Sequence, residues 1–276
     1  GFDIVLVADH VGTGMAPLPT LAAIAAATTT IRLGTMVLNN DMRNPVQLAW
    51  EAASIDALSN GRFELGLGAG HTPQEYAATG IERSAVFVRK QRLAESVEII
   101  RALLDGETVD HDGELYQVER AHIDRSTQQH LPILVGGNGE ALLTHAGAHA
   151  DLVGLQGLGR TLEDGHSHTV DWRSAHLDEQ LAHVRDGAGE RFDELEFNAL
   201  VQVVQITHDR DAALAEICER VEGLTMDDAH ATPYLLVGTV DEIVEHMLTC
   251  NERWGINYFA VRELDEFEPV LKALGR

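Results

Sequence analysis

Short apolar runs rich in β-branched residues alternate along this chain with longer amphipathic segments. Such runs predict buried strands, and the amphipathic segments predict helices. The predicted strands cover residues 4–8, 31–38, 62–67, 132–135, 151–155, 199–206 and 256–261. The predicted helices between them cover residues 19–28, 45–59, 86–104, 139–149, 175–187, 211–223 and 240–254. This alternation is typical of a parallel sheet covered by helices.

The alternation runs from residue 1 to residue 276 without a change of composition, which favours a single domain. Two architectures fit it: a doubly wound sheet, and a (β/α)8 barrel in which one strand is not visible. The opening residues, Gly1 to Asp3, have the pattern of a helix end that leads into the first strand. We therefore expect that a strand and a helix precede Gly1 and that the fold is an α/β (β/α)8 TIM barrel.

Two segments interrupt this rhythm. Residues 107–118 place His111, Asp112 and Gly113 between two short strand-like runs, which predicts an inserted hairpin. Residues 156–172 follow a strand and are rich in glycine and polar residues. Long loops at that end of a barrel usually cover a site, so this segment is predicted to be a lid-like loop.

The charge and the cysteines of the chain exclude several classes of protein. Twenty Lys and Arg residues stand against 44 Asp and Glu residues, a net charge of −24. Binding to nucleic acid or to a membrane surface needs clustered cations, so neither role is expected. No apolar stretch reaches the roughly 18–20 residues that cross a bilayer. Cys218 and Cys250 lie in predicted helices, which indicates a reducing cytoplasm rather than a disulfide framework.

Candidate chemistry is concentrated where the predicted strands end, which is where a barrel builds its site. Four strand ends are polar or glycine-rich, at residues 9–10, 39–41, 68–71 and 136–139. Asp9 and His10 are the most specific of these, because a carboxylate beside an imidazole suits general acid–base chemistry near neutral pH. Asp9 would orient either the imidazole or the local backbone. The alternative is a loop-start pair that only caps the next helix.

Two glycine-rich segments allow different interpretations. Residues 136–139 join a strand to a helix, where free N–H groups favour a phosphate; the alternative is a tight turn without a ligand. Residues 66–70 contain alternating glycines but lack the third glycine of a dinucleotide fingerprint, because His71 occupies that position and Pro73 follows. We reject a Rossmann site there and expect the glycines to let a flat ring lie against the backbone.

Metal and hydrolase chemistry are not expected. The pairs His145/His149 and His166/His168 have chelating spacings, but neither shows the three-ligand set with a nearby carboxylate that a catalytic zinc requires. Solvated histidines explain them better. No Gly-x-Ser-x-Gly elbow and no Cys–His signature is present, so a hydrolase would lack its nucleophile.

Taken together, five motifs resemble the luciferase-like monooxygenase superfamily. They are Ala-Asp-His at residues 8–10, Leu-Gly-Thr-Met-Val-Leu at 33–38, Ser-Asn-Gly-Arg-Phe-Glu-Leu-Gly-Leu-Gly-Ala-Gly at 59–70, Pro-Ile-Leu-Val-Gly-Gly at 132–137 and Leu-Val-Gly-Thr at 236–239. They follow the family's order and spacing over essentially the whole chain. The resemblance is closest to the branch that uses the deazaflavin coenzyme F420.

The resemblance implies a barrel, usually a homodimer, that holds a flavin or deazaflavin at the C-terminal ends of its strands. It places Asp9 and His10 at the ring, with His10 as catalytic acid or base, and a cis peptide bond at Met36–Val37 behind the ring. It also implies that the turn at residues 136–139 contacts the cofactor phosphate. The expected cofactor-binding residues are Asp9, Thr35, Met36, Val37, Ala69, Gly70, His71, Gly136, Gly137, Asn138 and Gly139.

One departure from the F420-dependent dehydrogenases concerns the substrate. Those enzymes have an acidic residue where this chain has His71. Their sugar-phosphate substrate is therefore not carried over, and the expected activity is hydride transfer between coenzyme F420 and a small organic substrate. The alternatives are an FMN-dependent monooxygenase and, in a different class, a non-catalytic flavin-binding barrel.

Overall fold

The computed structural model describes residues 1–124, 126–162 and 168–275. The strands are β1 (Ile4–Val7), β2 (Arg32–Thr35), β3 (Leu38–Asn39), β4 (Phe63–Gly68), β5 (Val109–Asp112), β6 (Gln117–Ala121), β7 (Ile133–Gly136), β8 (Leu152–Gly154), β9 (Leu158–Thr161), β10 (His168–Val170), β11 (Glu196–Leu200), β12 (Val203–Ile206), β13 (Leu235–Gly238) and β14 (Ile256–Ala260). The α-helices are α1 (Pro17–Ala27), α2 (Pro45–Ser59), α3 (Pro73–Thr79), α4 (Val86–Leu104), α5 (Glu140–His149), α6 (Ser174–Ala188), α7 (Arg210–Arg220), α8 (Met226–Ala231), α9 (Val240–Trp254) and α10 (Leu264–Ala273).

The central sheet is parallel and follows the order of the chain. Its strands run β1, β2, β4, β7, β8, β11 and β14, and β3 adds a short pairing to β4. The strand order never reverses, so the sheet is wound as in a barrel and not doubly wound. β1 and β14 are its two edges, and no ladder joins them within the described residues. The predicted α/β barrel class is confirmed.

Two strand predictions differ from the structure. The run predicted at residues 31–38 is divided into β2 and β3. The run predicted at residues 199–206 is also divided: β11 starts earlier and belongs to the central sheet, whereas β12 pairs with β13. The predicted strands did not include β13, although all four of its residues are buried.

Two antiparallel hairpins are added to the barrel. β5 and β6 form one of them, and the carboxylate of Glu95 on α4 accepts the backbone N–H groups of Leu115 and Tyr116 at 3.1 Å each. These bonds attach the hairpin to α4. β9 and β10 form the second hairpin within the segment predicted to be a lid-like loop; residues 163–167 of that segment lie outside the described residues.

The core lies between the sheet and its helices. All six residues of β4 are buried, as expected for a strand covered on both faces. Inside the barrel, the buried carboxylate of Glu64 accepts hydrogen bonds from Arg32 at 2.8 Å and Tyr258 at 3.0 Å. Burial raises the pKa of Glu64. This cluster connects β4 to β2 and β14 and satisfies a polar group that would otherwise be costly to bury.

Two further features bear on earlier expectations. Cys218 and Cys250 are both free thiols. Among the described helices, none combines the length and the apolar character needed to cross a membrane.

Candidate active site

The C-terminal ends of β1, β2, β4 and β7 open into a cavity of about 1190 Å³. Most of the residues expected from the sequence line it. They are Asp9, His10, Met36, Val37, Ala69, Gly70, His71, Gly136, Gly137 and Asn138. Thr35 and Gly139 lie just outside this lining. The barrel has therefore brought residues from four separate strand ends to one cavity.

His10 has a carboxylate partner that the sequence did not reveal. Its Nδ1 lies 2.8 Å from Oε1 of Glu75, on the short helix α3. The Glu75 side chain is buried, whereas 36% of the His10 side chain is exposed towards the cavity. The pair can orient the imidazole and balance its charge when it carries a proton, which is the arrangement that general acid–base chemistry requires.

Asp9 is engaged elsewhere. Its carboxylate accepts the backbone N–H of Asn39 at 2.9 Å and receives two hydrogen bonds from Arg43, at 2.5 and 3.1 Å. Of the two roles considered for Asp9, the structure shows the one that fixes the local backbone. The interaction ties the end of β1 to the turn that follows β3.

His71 lies in a group of three imidazoles. Its ring centroid is 5.7 Å from that of His10 and 4.5 Å from that of His168, which β10 brings to the cavity. Burial lowers the pKa of His71 to about 4, and the neighbouring His168 and His10 add to this effect. His71 is therefore neutral at pH 7. Its uncharged ring can form a hydrogen bond with a ligand.

The wall beneath the cavity is formed where β2 passes into β3. The peptide bond between Met36 and Val37 is cis, as the resemblance implies. Thr35 is fully buried, and its hydroxyl donates to the carbonyl of Gly66 at 2.9 Å and accepts the Gly66 N–H at 2.8 Å. Thr35 therefore holds β2 against β4 and supports the two residues that line the cavity.

The alternating glycines of β4 make room for this wall. A Cβ at Gly66 would lie 1.9 Å from the carbonyl oxygen of Thr35, and one at Gly68 would lie 2.6 Å from Val37 Cγ2. A Cβ at Gly70 would lie 2.2 Å from Asn39 Oδ1. The glycines therefore let the β2–β3 segment pack closely against β4, while Gly68 and Gly70 also line the cavity. That a flat ring lies against this backbone stays a prediction.

Residues 136–139, in the turn before α5, and Lys90 form a corner that we name the anion-binding corner, after the role that the sequence predicts for it. Lys90 on α4 donates to the carbonyl oxygen of Asn138, and burial together with Arg89 lowers its pKa. Gly139 has φ of +92° and is the N-cap residue of α5, a helix of ten residues. A cation beside a helix N-terminus and a glycine turn is well suited to a phosphate.

Other side chains fix this corner in place. Asn138 accepts a hydrogen bond from Gln180 of α6 at 2.6 Å and donates to the carbonyl of Leu158 on β9. A Cβ at Gly137 would lie 2.5 Å from Leu142 Cδ2, so that position faces α5. The turn is thus clamped between two helices and the β9–β10 hairpin, and only part of its backbone can face a ligand.

Three arginines also line the cavity, and their partners distinguish their roles. Arg89 is buried and donates to the carbonyls of Ala69 and Gly70 at 3.3 Å, so it holds the end of β4. Arg83 donates to the carbonyl of His71 at 3.2 Å. Arg262 reaches the side chain of Gln202 at 3.1 Å. The cavity is thus cationic although the chain as a whole is strongly acidic.

One possible metal-binding group lies outside the cavity. Glu98 Oε1 on α4 is 3.1 Å from His145 Nε2 on α5, and His149 follows one turn later. The expectation that this histidine pair has no nearby carboxylate is wrong, because the third residue comes from a different helix. Burial, with a contribution from His149, lowers the pKa of His145 to about 4. His166 of the other pair lies outside the described residues.

The sequence profile of one family matches most of the chain. The profile describes luciferase-like monooxygenases, and it matches residues 1–229.

Curated relatives are named F420-dependent glucose-6-phosphate dehydrogenases. The one from Nakamurella multipartita is 33% identical over 78% of this chain and 63% of its own length. The one from Amycolatopsis mediterranei is 34% identical over 55% of this chain and 48% of its own length. The chain therefore spans less than two thirds of these relatives.

Solved structures share the fold at low sequence identity. A monooxygenase from Streptomyces bottropensis superposes with a TM-score of 0.71 at 23% identity, covering 95% of this chain and 81% of that chain. An F420-dependent secondary alcohol dehydrogenase, solved in complex with an F420-acetone adduct, gives 0.71 at 19% identity, covering 99% and 91%. A riboflavin lyase with modified FMN gives 0.75 at 18% identity, covering 100% and 81%. At these identities the likeness concerns the fold.

Proposed function

The chain belongs to the luciferase-like monooxygenase family, and we propose that it is an oxidoreductase that transfers a hydride between coenzyme F420 and a small organic substrate. One observation carries the proposal: the His10–Glu75 pair faces the same cavity as the anion-binding corner. The proposal places proton transfer and phosphate binding in the same cavity, the first at His10 and the second at the anion-binding corner. The curated relatives named as F420-dependent dehydrogenases support the choice of cofactor.

The residues present fit such a cofactor. Lys90, the start of α5 and the turn at residues 136–139 would hold its phosphate. Met36 and Val37 would lie behind its ring, with Ala69 to His71 at the ring's edge. Coenzyme F420 supplies a site on its ring that accepts or donates a hydride. The volume of about 1190 Å³ exceeds that of a typical single-ligand pocket, which leaves room for a substrate beside the cofactor.

The chain's own residues would manage the proton that accompanies the hydride. His10 is the acid or base at a substrate oxygen, and Glu75 positions its ring. The uncharged imidazole of His71 would donate or accept a hydrogen bond at the same substrate oxygen or at the edge of the cofactor ring. Asp9 acts through Arg43 and the backbone of Asn39, so we assign it a positioning role.

The substrate is not proposed to be a sugar phosphate. The resemblance to the F420-dependent dehydrogenases implies an acidic residue at the position of His71, and a neutral imidazole there would change both the charge and the hydrogen bonding beside the reacting centre. We propose a small organic alcohol or ketone instead. We further propose, on family resemblance, that the protein is a homodimer, and from its two free thiols that it is cytoplasmic.

An FMN-dependent monooxygenase is the competing proposal. The fold neighbours include a monooxygenase and an enzyme crystallised with modified FMN, so the fold accommodates both cofactors. The anion-binding corner does not separate them, since both cofactors carry a phosphate. A deazaflavin ring lacks the nitrogen that supports oxygen activation, so the identity of the cofactor decides between hydride transfer and oxygenation.

The test is binding of both cofactors to the purified chain, by calorimetry and by the change in cofactor absorbance. We expect F420 to bind at least about tenfold more tightly than FMN. Lys90→Met should weaken F420 binding by about 10- to 100-fold, the usual value of a charge-assisted hydrogen bond. Lys272→Met is the matched control, because Lys272 is the chain's other lysine and pairs with Glu268 on the surface.

Each alternative has its own outcome in this experiment. Preferential binding of FMN, with oxygen consumed when the bound flavin is reduced, would replace the proposal by the monooxygenase. Binding of neither cofactor would favour a non-catalytic barrel. An equal loss of F420 affinity in Lys90→Met and Lys272→Met would remove the anion-binding corner from the site.

A further inference from the structure

Two helices on the outside of the barrel bring three metal-ligating side chains together. Glu98 lies on α4, and His145 and His149 lie on α5, which packs against α4. Residues four apart on a helix lie one above the other on the same face. None of the three lines the cavity described above. The proposed oxidoreductase activity therefore does not account for this cluster.

The geometry of the cluster is compact. Glu98 Oε1 is 3.1 Å from His145 Nε2 and 3.9 Å from His149 Nε2. The two imidazole rings are stacked, with centroids 4.4 Å apart and an interplanar angle of 29°. One ligand atom from each residue lies within 4.8 Å of the others. Ligands bound at about 2.0–2.2 Å to one tetrahedral ion stand roughly 3.3–3.6 Å apart, so small rotamer adjustments complete the site.

We propose that Glu98, His145 and His149 bind a divalent transition-metal ion of the zinc class and thereby link α4 to α5. Two imidazoles and one carboxylate form a donor set that zinc sites use. Glu98 and His149 are half exposed, whereas His145 is largely covered. The ion can therefore enter from solvent, and its fourth position is left to water.

The linked helices also carry the anion-binding corner. Lys90 lies about two turns before Glu98 on α4, and the N-cap of α5 is Gly139. An ion further along these helices, at Glu98, His145 and His149, would hold them together without touching the cavity. The predicted consequence is a gain in stability, because a ligand that binds only the folded chain shifts the unfolding equilibrium.

The experiment uses the full chain freed of metal with EDTA and then titrated with ZnCl2 by calorimetry, with Tm measured in parallel. We expect one site whose occupation raises Tm by several degrees. Glu98→Gln and His149→Ala should each weaken that site by more than about tenfold. Both substitutions are at partly exposed side chains, which leaves the fold intact, and the Tm of the metal-free variants verifies this.

The control is His208→Ala, which removes an exposed histidine away from the cluster. It should leave the zinc affinity and the zinc-dependent rise in Tm unchanged. The proposal is overturned if Glu98→Gln and His149→Ala bind zinc as tightly as the parent chain, because the ion would then occupy other histidines. Absence of zinc binding by the parent chain would overturn it equally.

Discussion

At the scale of single residues, two neighbouring histidines are given different chemistry by their surroundings. Glu75 places a buried carboxylate 2.8 Å from His10, which suits a ring that takes up and releases a proton. His71 faces two other imidazoles and has its pKa lowered to about 4 by burial and by those neighbours. These different surroundings support the proposed roles, proton transfer for His10 and a hydrogen bond from an uncharged ring for His71.

His10→Ala is expected to lower turnover by about 10²- to 10⁴-fold, the usual effect of removing a positioned general acid or base. Cofactor affinity should change far less, because the role proposed for His10 is at the reacting edge of the ring and His10 is not part of the anion-binding corner. The measurement is kcat at saturating cofactor together with the cofactor Kd. Glu75→Gln should lower kcat in the same direction by a smaller factor.

His208→Ala serves again as the control and should retain parental kcat and Kd. The opposite pattern for His10→Ala, a large loss of affinity with turnover intact at saturation, would contradict the catalytic assignment. It would show that His10 only packs against the cofactor, and His71 would then be the next residue to test.

The site residues that the sequence revealed are those that follow a strand directly. His10, His71 and the turn at residues 136–139 belong to this group, since barrel strands deliver their C-terminal ends to one face. Glu75 and Lys90 escaped prediction, because they lie on helices whose inward faces are set only by packing. No local pattern marked them: Glu75 is 65 residues from the histidine it contacts.

At the scale of elements, the joint between β2–β3 and β4 shapes the cavity wall. Thr35 bonds both the N–H and the carbonyl of Gly66, and the side chain of Val37 rests against Gly68. The glycines thus serve the fit of two backbone segments. Close-packed interiors do not relax easily around an added atom when the obstacle is backbone.

Gly66→Ala is therefore expected to destabilise the fold by about 3 kcal/mol or more, at the upper end of overpacking effects. The added Cβ would meet the Thr35 carbonyl oxygen at 1.9 Å, and no flexible side chain can give way there. Gly80→Ala is the matched control. Its Cβ would meet nothing within 4 Å, and its φ of +72° should cost only about 1 kcal/mol.

Urea unfolding of both variants measures the difference between them. Equal destabilisation by Gly66→Ala and Gly80→Ala would contradict the contact that the structure assigns to Gly66. A loss of stability at least about 2 kcal/mol larger in Gly66→Ala than in Gly80→Ala would support it.

The elements themselves show where sequence patterns stop being informative. Runs of β-branched residues located the strands of the central sheet, because a parallel strand buried on both faces must be apolar throughout. That pattern did not show which strands pair with each other. Residues 199–206 formed one apolar run in the sequence, yet β11 pairs within the central sheet and β12 pairs with β13. Which partner each half finds depends on neighbours far away in the chain.

At the scale of the whole molecule, charge is distributed unevenly. The net charge is −24, yet the cavity is lined by Lys90 and three arginines. Further arginines form inward-facing ion pairs, such as Arg43 with Asp9 and Arg32 with Glu64. Several of the scarce cations thus lie in the cavity wall or beside a buried carboxylate, which leaves an acidic excess on the rest of the surface, where net charge favours solubility.

The molecule also keeps buried histidines in their neutral form. Burial lowers the pKa of His71 to about 4, and burial likewise lowers the pKa of His246, whose ring contacts the Thr232 carbonyl at 2.8 Å. Unfolding exposes these rings to water and restores their ordinary pKa near 6.5. Between the two pKa values the unfolded chain binds more protons than the folded chain, so acid favours unfolding.

Stability associated with His71 is therefore fully present above pH 6.5 and is lost as the pH falls towards 4. The free energy of unfolding, measured with urea, is expected to fall in the parent chain when the pH is lowered from about 7.5 to about 5. In His71→Asn this fall should be smaller by roughly 1 kcal/mol, a value that allows for solvent access to the ring. EDTA in all samples removes any effect of metal. His208→Asn, at an exposed position, should reproduce the parental difference. An equal fall in the parent chain and in His71→Asn would show that the His71 ring takes up its proton as readily in the folded chain as in the unfolded one.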